Sequence, residues 1–297
     1  MKNVIICGLG AVGLTYGVKF RNKCNLRILV DSERLKRYTK NKPILNGEVQ
    51  EFEYILPEDS FEADLIIIST KAFGLDSAIA QIKNFVTPKT IIISLLNGIS
   101  SEEKIKQVYP NATVLKSYFI GHSAVRNRNS VTQDGVGEIV AEKNDKLIGI
   151  FEECEINYSC PDDIDYSMWL KFTMNIFSNQ SSAILNMTFG ELKKNEAFIS
   201  FAKKLIAEVR SIAEIKGIKN LENLEDDALK ALARMCDEGK TSMHQDIIAG
   251  RKTEVDIFAG EIIRMGKELG IATPYNHVLY DMVRILEEKN EHSIHTC

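Results

Sequence analysis

The first third of the chain alternates short apolar runs with amphipathic stretches. Val4-Ile5-Ile6-Cys7, Leu26-Arg27-Ile28-Leu29-Val30, Leu65 to Ser69, Ile91 to Leu96 and Val114 to Ile120 are rich in β-branched side chains and bounded by turn residues. Runs of this kind read as strands buried on both faces of a parallel sheet, where no polar alternation is expected. The stretch ending at Phe20, Asp76 to Phe85 and Ser101 to Val108 carry helical patterns and read as crossover helices. Strand–helix–strand repetition defines a doubly wound α/β domain.

The pattern changes twice further on. Asn127-Arg128-Asn129 and Gln133-Asp134-Gly135-Val136-Gly137 are turn-like, with short alternating strands between them. They are expected to add antiparallel strands to the first domain's sheet. From Asp165 onward helical periodicity dominates, glycine is sparse and Pro274 is the only proline. The expected architecture is α/β plus all-α: a Rossmann-like dinucleotide-binding domain over residues 1–165, then a helical domain over 166–297. At 297 residues each half is long enough to bury a core of its own.

Composition narrows the function classes. With 37 basic and 41 acidic residues the net charge is -4, which excludes nucleic acid as the main partner. No apolar run approaches the roughly 18–20 residues that cross a bilayer, and the N-terminus lacks a secretory pattern, so a cytoplasmic protein is expected. Cys7, Cys24, Cys154, Cys160, Cys236 and Cys297 form no CxxC pair and have no histidine at ligand spacing. They read as reduced thiols, and no metal site is expected. Cys297 ends the chain as a candidate exposed thiol, while His292 and His295 read as an unstructured tail.

Gly8-Leu9-Gly10-Ala11-Val12-Gly13 matches GxGxxG directly after a strand and at the start of a helix. The first glycine makes the tight turn, the second admits a pyrophosphate to the backbone, and the third lets helix and strand pack closely. Asp31 follows Gly13 by 18 residues, where a carboxylate meets the ribose 2′-hydroxyl of NAD and opposes the 2′-phosphate of NADPH. Arg34 and Lys36 lie close enough to accommodate a phosphate, and Asp31 also stands where a helix N-cap belongs.

Lys171, Asn175 and Asn179 recur at i, i+4 and i+8 and share one helical stripe among Leu170, Thr173, Met174, Ile176 and Phe177. Such a line faces water, a partner or a ligand, because unpaired burial costs about 1–3 kcal/mol per group. A solvated face is the alternative, but it normally carries Glu, Lys and Arg rather than two asparagines. Lys71 and Asn97 follow the strands ending at Ser69 and Leu96, at the strand ends where open α/β sheets bind ligands. Ser242 and Thr253 read as helix caps, Glu254 stays unassigned, and His244 reads as a structural or surface histidine.

Taken in order, the glycine loop, Thr70-Lys71-Ala72, Asn97-Gly98, Trp169-Leu170-Lys171 with Asn175 and Asn179, Ser242-Met243 with Gln245-Asp246, and Gly250-Arg251 with Thr253-Glu254 resemble the ketopantoate reductase family over nearly the whole chain. The resemblance implies reduction of 2-dehydropantoate to pantoate, for pantothenate and coenzyme A synthesis. It makes Lys171 the general acid, Glu254 its support, Asn175 and Asn179 the hydroxyl binders, and Ser242 with Asn97 the carboxylate binders. Lys71 would line the cofactor side. The family's cofactor is NADPH, whereas Asp31 stands where better-known members carry arginine and so favours NADH. The family also contains reductases of other branched or aromatic 2-oxo acids, and its members act as monomers or homodimers.

Overall fold

A computed structural model of the protein describes residues 1–121 and 123–295, so Cys297 lies outside the described residues. The chain divides into two compact units, Met1–Ile164 and Asp165–Cys297.

In the first unit the elements are β1 Asn3–Cys7, α1 Ala11–Arg21, β2 Asn25–Leu29, α2 Ser32–Lys40, β3 Ile44–Leu45, β4 Glu48–Val49, β5 Tyr54–Ile55 and β6 Leu65–Ile68. There follow α3 Leu75–Gln81, β7 Ile91–Ser94, α4 Ser101–Val108, β8 Thr113–Leu115, β9 Ser117–Ile120, β10 Ser123–Asn127, β11 Ser130–Asp134, β12 Glu138–Ala141, α5 Asp145–Glu153 and β13 Tyr158–Ser159. Six strands form one parallel sheet in the order β5-β2-β1-β6-β7-β8.

Alternate residues of the apolar runs serve opposite faces of that sheet. Val4, Ile6, Ile28, Ile67 and Ile93 pack with Leu14 and Phe20 of α1 and with Leu147, Ile150 and Phe151 of α5. Ile5, Leu29, Ile66, Ile68 and Ile92 pack with Leu75 and Ile79 of α3 and with Ile105 of α4. Both faces are therefore covered, which is why these strands show no polar alternation.

The strands after residue 116 do not join the six-stranded sheet as expected from the sequence. They build two small sheets, ordered β10-β11-β3-β4 and β13-β12-β9. The expected run from Val114 to Ile120 breaks at Lys116 into β8 and β9. At the break a side chain replaces the ladder: Ser94 N donates to Ser117 Oγ at 3.1 Å, and that hydroxyl donates to Ser94 O at 2.8 Å. Helix α5, also unanticipated, starts at the Asn144 cap, whose side chain accepts from Leu147 N at 3.1 Å.

The second unit contains α6 Ile164–Leu185, α7 Phe189–Lys194, α8 Glu196–Ile215, α9 Leu224–Ala233, α10 Ser242–Ile248, α11 Ala259–Leu269 and α12 Pro274–His295. Its core is apolar: Phe172, Ile176 and Phe177 of α6, Leu205 and Val209 of α8, Leu232 of α9, Ile262 of α11 and Val283 of α12 are buried. Helix α12 opens on Pro274, a residue suited to a first helical position. The buried Glu208 carboxylate of α8 accepts from Tyr275 N at 2.8 Å and from Asn276 N at 3.1 Å, satisfying α12's first amides. The backbone at His292 and His295 is helical rather than the unstructured tail expected. No helix among the described residues is long and apolar enough to cross a membrane.

Candidate active site

The first unit gathers its candidate residues through sheet register. Cys7 lies beside Leu29 and Ile68, and Ile68 beside Ser94, so four parallel strands end level with one another. The segments leaving those ends carry the glycine loop, Asp31, Lys71 and Asn97 respectively.

The glycines of the loop are required for different reasons. Gly8 has φ +106°, a left-handed conformation, and a Cβ there would lie 2.9 Å from backbone atoms of Ser69 and Thr70. A Cβ on Gly13 would sit 1.9 Å from Gly8 O and 2.5 Å from Ser69 Oγ. Ser69 Oγ donates to Gly8 O at 2.8 Å, which locks the β6 end against the loop. Gly10 differs, since its φ of -74° suits any residue and a Cβ would meet nothing closer than Ser69 O at 3.7 Å. The fold does not need glycine at residue 10, but a ligand pressed against the backbone does.

Two more features suit a pyrophosphate. Helix α1 starts without a side-chain cap and has no acidic residue in its first turn, so its amide dipoles face an uncompensated end. Thr70 Oγ1 is buried beside the loop and has no hydrogen-bond partner among the described residues. A dinucleotide fits these residues.

Asp31 performs the cap that its sequence context allowed. Its Oδ1 accepts from Arg34 N at 2.6 Å, and its Oδ2 pairs with Arg34 Nη1 at 2.8 Å. Lys71 is exposed at the start of a short 3-10 turn, and Asn97 is half-buried in the turn closed by Gly98.

In the second unit α6 carries Lys171 and Asn175 half-buried and Asn179 buried. Several polar neighbours are spent on the helix itself: Thr173 donates to Trp169 O, Ser178 to Met174 O and Gln180 to Ile176 O, at 2.7 to 2.8 Å. Among the described residues, Gln180 Oε1 and Ser181 Oγ are buried without hydrogen-bond partners, and nothing in the structure explains this.

The cap of α10 falls at Thr241, one residue before the expected Ser242, and Thr241 Oγ1 accepts from His244 N at 3.1 Å. Ser242 is thereby exposed and its hydroxyl is free of capping duty. Thr253 caps no helix; its hydroxyl accepts from Val255 N at 3.2 Å. Thr241 Oγ1 also donates to Asn179 O at 3.4 Å, tying the start of α10 to the α6 backbone at the second asparagine of the stripe.

His244 completes that junction and is 1% exposed, so it is structural rather than a surface group. Its Nδ1 lies 3.1 Å from Ser182 Oγ and its Nε2 lies 2.7 Å from Asn186 Oδ1. Burial, aided by Lys240, holds its pKa below the ordinary histidine value. No sequence period marked this role, because Ser182 and His244 meet across 62 residues of chain.

Glu254 is 6% exposed and begins the 3-10 turn Val255–Ile257. The residue before it is anchored, since Thr253 N donates to Glu287 Oε1 at 2.7 Å and Arg284 holds Glu287 Oε2 at 2.7 Å.

An α/β unit with a pyrophosphate-type glycine loop, followed by a helical unit bearing a lysine–asparagine stripe, is the order of parts expected of a pyridine-nucleotide-dependent oxidoreductase. The family model for ketopantoate reductase PanE/ApbA matches residues 4–146, and the model for its C-terminal part matches residues 163–287. The chain belongs to the ketopantoate reductase family. A 2-dehydropantoate 2-reductase of Streptococcus pyogenes serotype M3 is 28% identical, covering 96% of this chain and 97% of its own. One from Vibrio cholerae serotype O1 is 23% identical over 96% and 98%. Among solved structures, a D-mandelate dehydrogenase with NADH and anilino(oxo)acetate superposes with a TM-score of 0.86 at 24% identity, covering 97% of this chain and 99% of its own.

Proposed function

We propose that the protein reduces 2-dehydropantoate to pantoate in the cytoplasm, with NADH preferred over NADPH. Relatives named 2-dehydropantoate 2-reductase along 96% of the chain support the substrate. The carrying observation is the α6 stripe of Lys171, Asn175 and Asn179, to whose backbone the Thr241–Asn179 hydrogen bond ties the start of α10, the helix that begins at Ser242.

The bound dinucleotide supplies the hydride. Lys171 hydrogen-bonds the ketone oxygen and gives it a proton as negative charge builds there. A cation held ready at that point stabilises the transition state more than the ground state. Glu254 orients the Lys171 ammonium, Asn175 and Asn179 bind substrate hydroxyls, and Ser242 with Asn97 binds the carboxylate. Lys71 borders the cofactor, which Gly8, Leu9, Gly10, Ala11, Val12 and Gly13 hold by its pyrophosphate.

A second reading, an NADH-dependent reductase of another branched or aromatic 2-oxo acid, rests on Asp31 departing from the arginine that better-known ketopantoate reductases carry at this position. The similar D-mandelate dehydrogenase, described with NADH, supports it. Initial rates on ketopantoate, 2-oxoisovalerate and phenylglyoxylate, each with NADH and NADPH, decide between them. The proposal expects the highest kcat/KM on ketopantoate with NADH. A preference for phenylglyoxylate transfers the assignment to the second reading. Lys171→Ala should lower kcat by about two to three orders of magnitude, matching the roughly 2.7–4 kcal/mol lost with one such donor. NADH affinity should be unchanged in that variant, and wild-type turnover would remove Lys171 from the mechanism.

A further inference from the structure

The hairpin of β10 and β11 packs beside the glycine loop. Val131 of β11, paired with Arg126 of β10, is 1% exposed in the same apolar cluster as Leu9. A second fastening is the hydrogen bond from Lys19 of α1 to Val136 O, beyond the end of the hairpin.

From this hairpin Arg126 reaches into the loop. Its Nη1 donates to Leu9 O at 2.8 Å, and its Nε donates to Arg128 O at 2.9 Å. Both acceptors are neutral carbonyls, and among the described residues the guanidinium pairs with no carboxylate. A guanidinium has five N–H donors and a permanent charge, so three donors and the whole charge remain to be met.

The Leu9 carbonyl belongs to the peptide that also contains Gly10 N, at the uncapped start of α1. The guanidinium is thereby hydrogen-bonded to the peptide that leads into the first amides of α1. An anion bound on those amides meets a fixed positive charge across a partly buried, reduced-dielectric loop, and rotation about the arginine side chain offers it a direct bond.

We infer that Arg126 is a cofactor-binding residue whose guanidinium takes the pyrophosphate charge of the dinucleotide on the Gly8–Gly13 loop. This rests on the proposed dinucleotide-dependent function. It assigns the hairpin a role: a cation supplied to the phosphate site from a separate small sheet.

Binding of NADH, ADP-ribose and adenosine to wild type, Arg126→Lys, Arg126→Gln and Arg126→Ala tests it, with each titration repeated at low and high salt. Glutamine keeps a donor for Leu9 O without the charge. The expected result is about tenfold weaker ADP-ribose and NADH binding in the Gln and Ala variants, with a flatter salt dependence. Arg126→Lys should restore most of the affinity, and adenosine binding should be unchanged throughout. If Arg126→Gln binds ADP-ribose like wild type with the same salt dependence, Arg126 only braces the loop and the inference is overturned. Parallel loss of adenosine and ADP-ribose binding overturns it as well. Wild type that binds neither NADH nor ADP-ribose would instead overturn the proposed function, and the inference with it.

Discussion

Single residues in the first unit separate what the fold needs from what a ligand needs. Gly13 is enclosed by Gly8 O and Ser69 Oγ, whereas Gly10 is open. Gly10→Ala should melt within a few degrees of wild type yet bind NADH at least tenfold more weakly. Gly13→Ala should fail to fold or melt far lower. Thermal melts with NADH fluorescence titrations check both, and a Gly10→Ala variant with full affinity would show that no pyrophosphate approaches this backbone. Asp31 permits a second dissection. Asn caps as well as Asp, so Asp31→Asn keeps the bond from Arg34 N, removes the charge and releases the Arg34 guanidinium. The NADPH-to-NADH ratio of kcat/KM should rise about tenfold. An unchanged ratio would mean that Asp31 serves the helix alone.

At the scale of elements, legibility in the sequence followed the range of the interactions involved. The central strands were plain because four neighbouring apolar runs each suffice to mark a buried strand. The glycine loop and the α6 stripe were equally plain, being local patterns with a fixed period. Sheet membership of β10 and β11 was not, since β11 pairs with the two-residue β3 and Ser130 meets Ile44 across most of the unit. The α10 cap falls at Thr241 and not at the adjacent Ser242 through contacts no local pattern shows, since both are good caps and the choice depends on Asn179 O and His244 N. The His244 tie between α10 and the end of α6 has a pH consequence. Its folded-state pKa is depressed, so the unfolded chain takes up the proton first as pH falls below about 6.5. The stability this residue contributes is complete above that value and drains away below it. His244→Gln cannot titrate, so wild type should lose more melting temperature than the variant between pH 7 and pH 5. Parallel pH profiles would exclude His244 as the source.

The whole molecule is two units, each with a core of its own. Calorimetry should therefore resolve two transitions rather than one two-state melt. NADH should raise the transition of the α/β unit, since a ligand at about 100 times its Kd stabilises its site by about 2.7 kcal/mol. A single transition, shifted as a whole by NADH, would show that the two cores melt as one. Gly10 also acquires a meaning at this scale. Folding defends Gly8 and Gly13 whether or not the protein is ever used, but nothing among the described residues defends Gly10. In a lineage that no longer needed its dinucleotide, that codon would be free to drift while the rest of the loop stayed fixed. If the loop does hold a dinucleotide, the glycine standing at residue 10 is a small historical record, kept by use rather than by architecture.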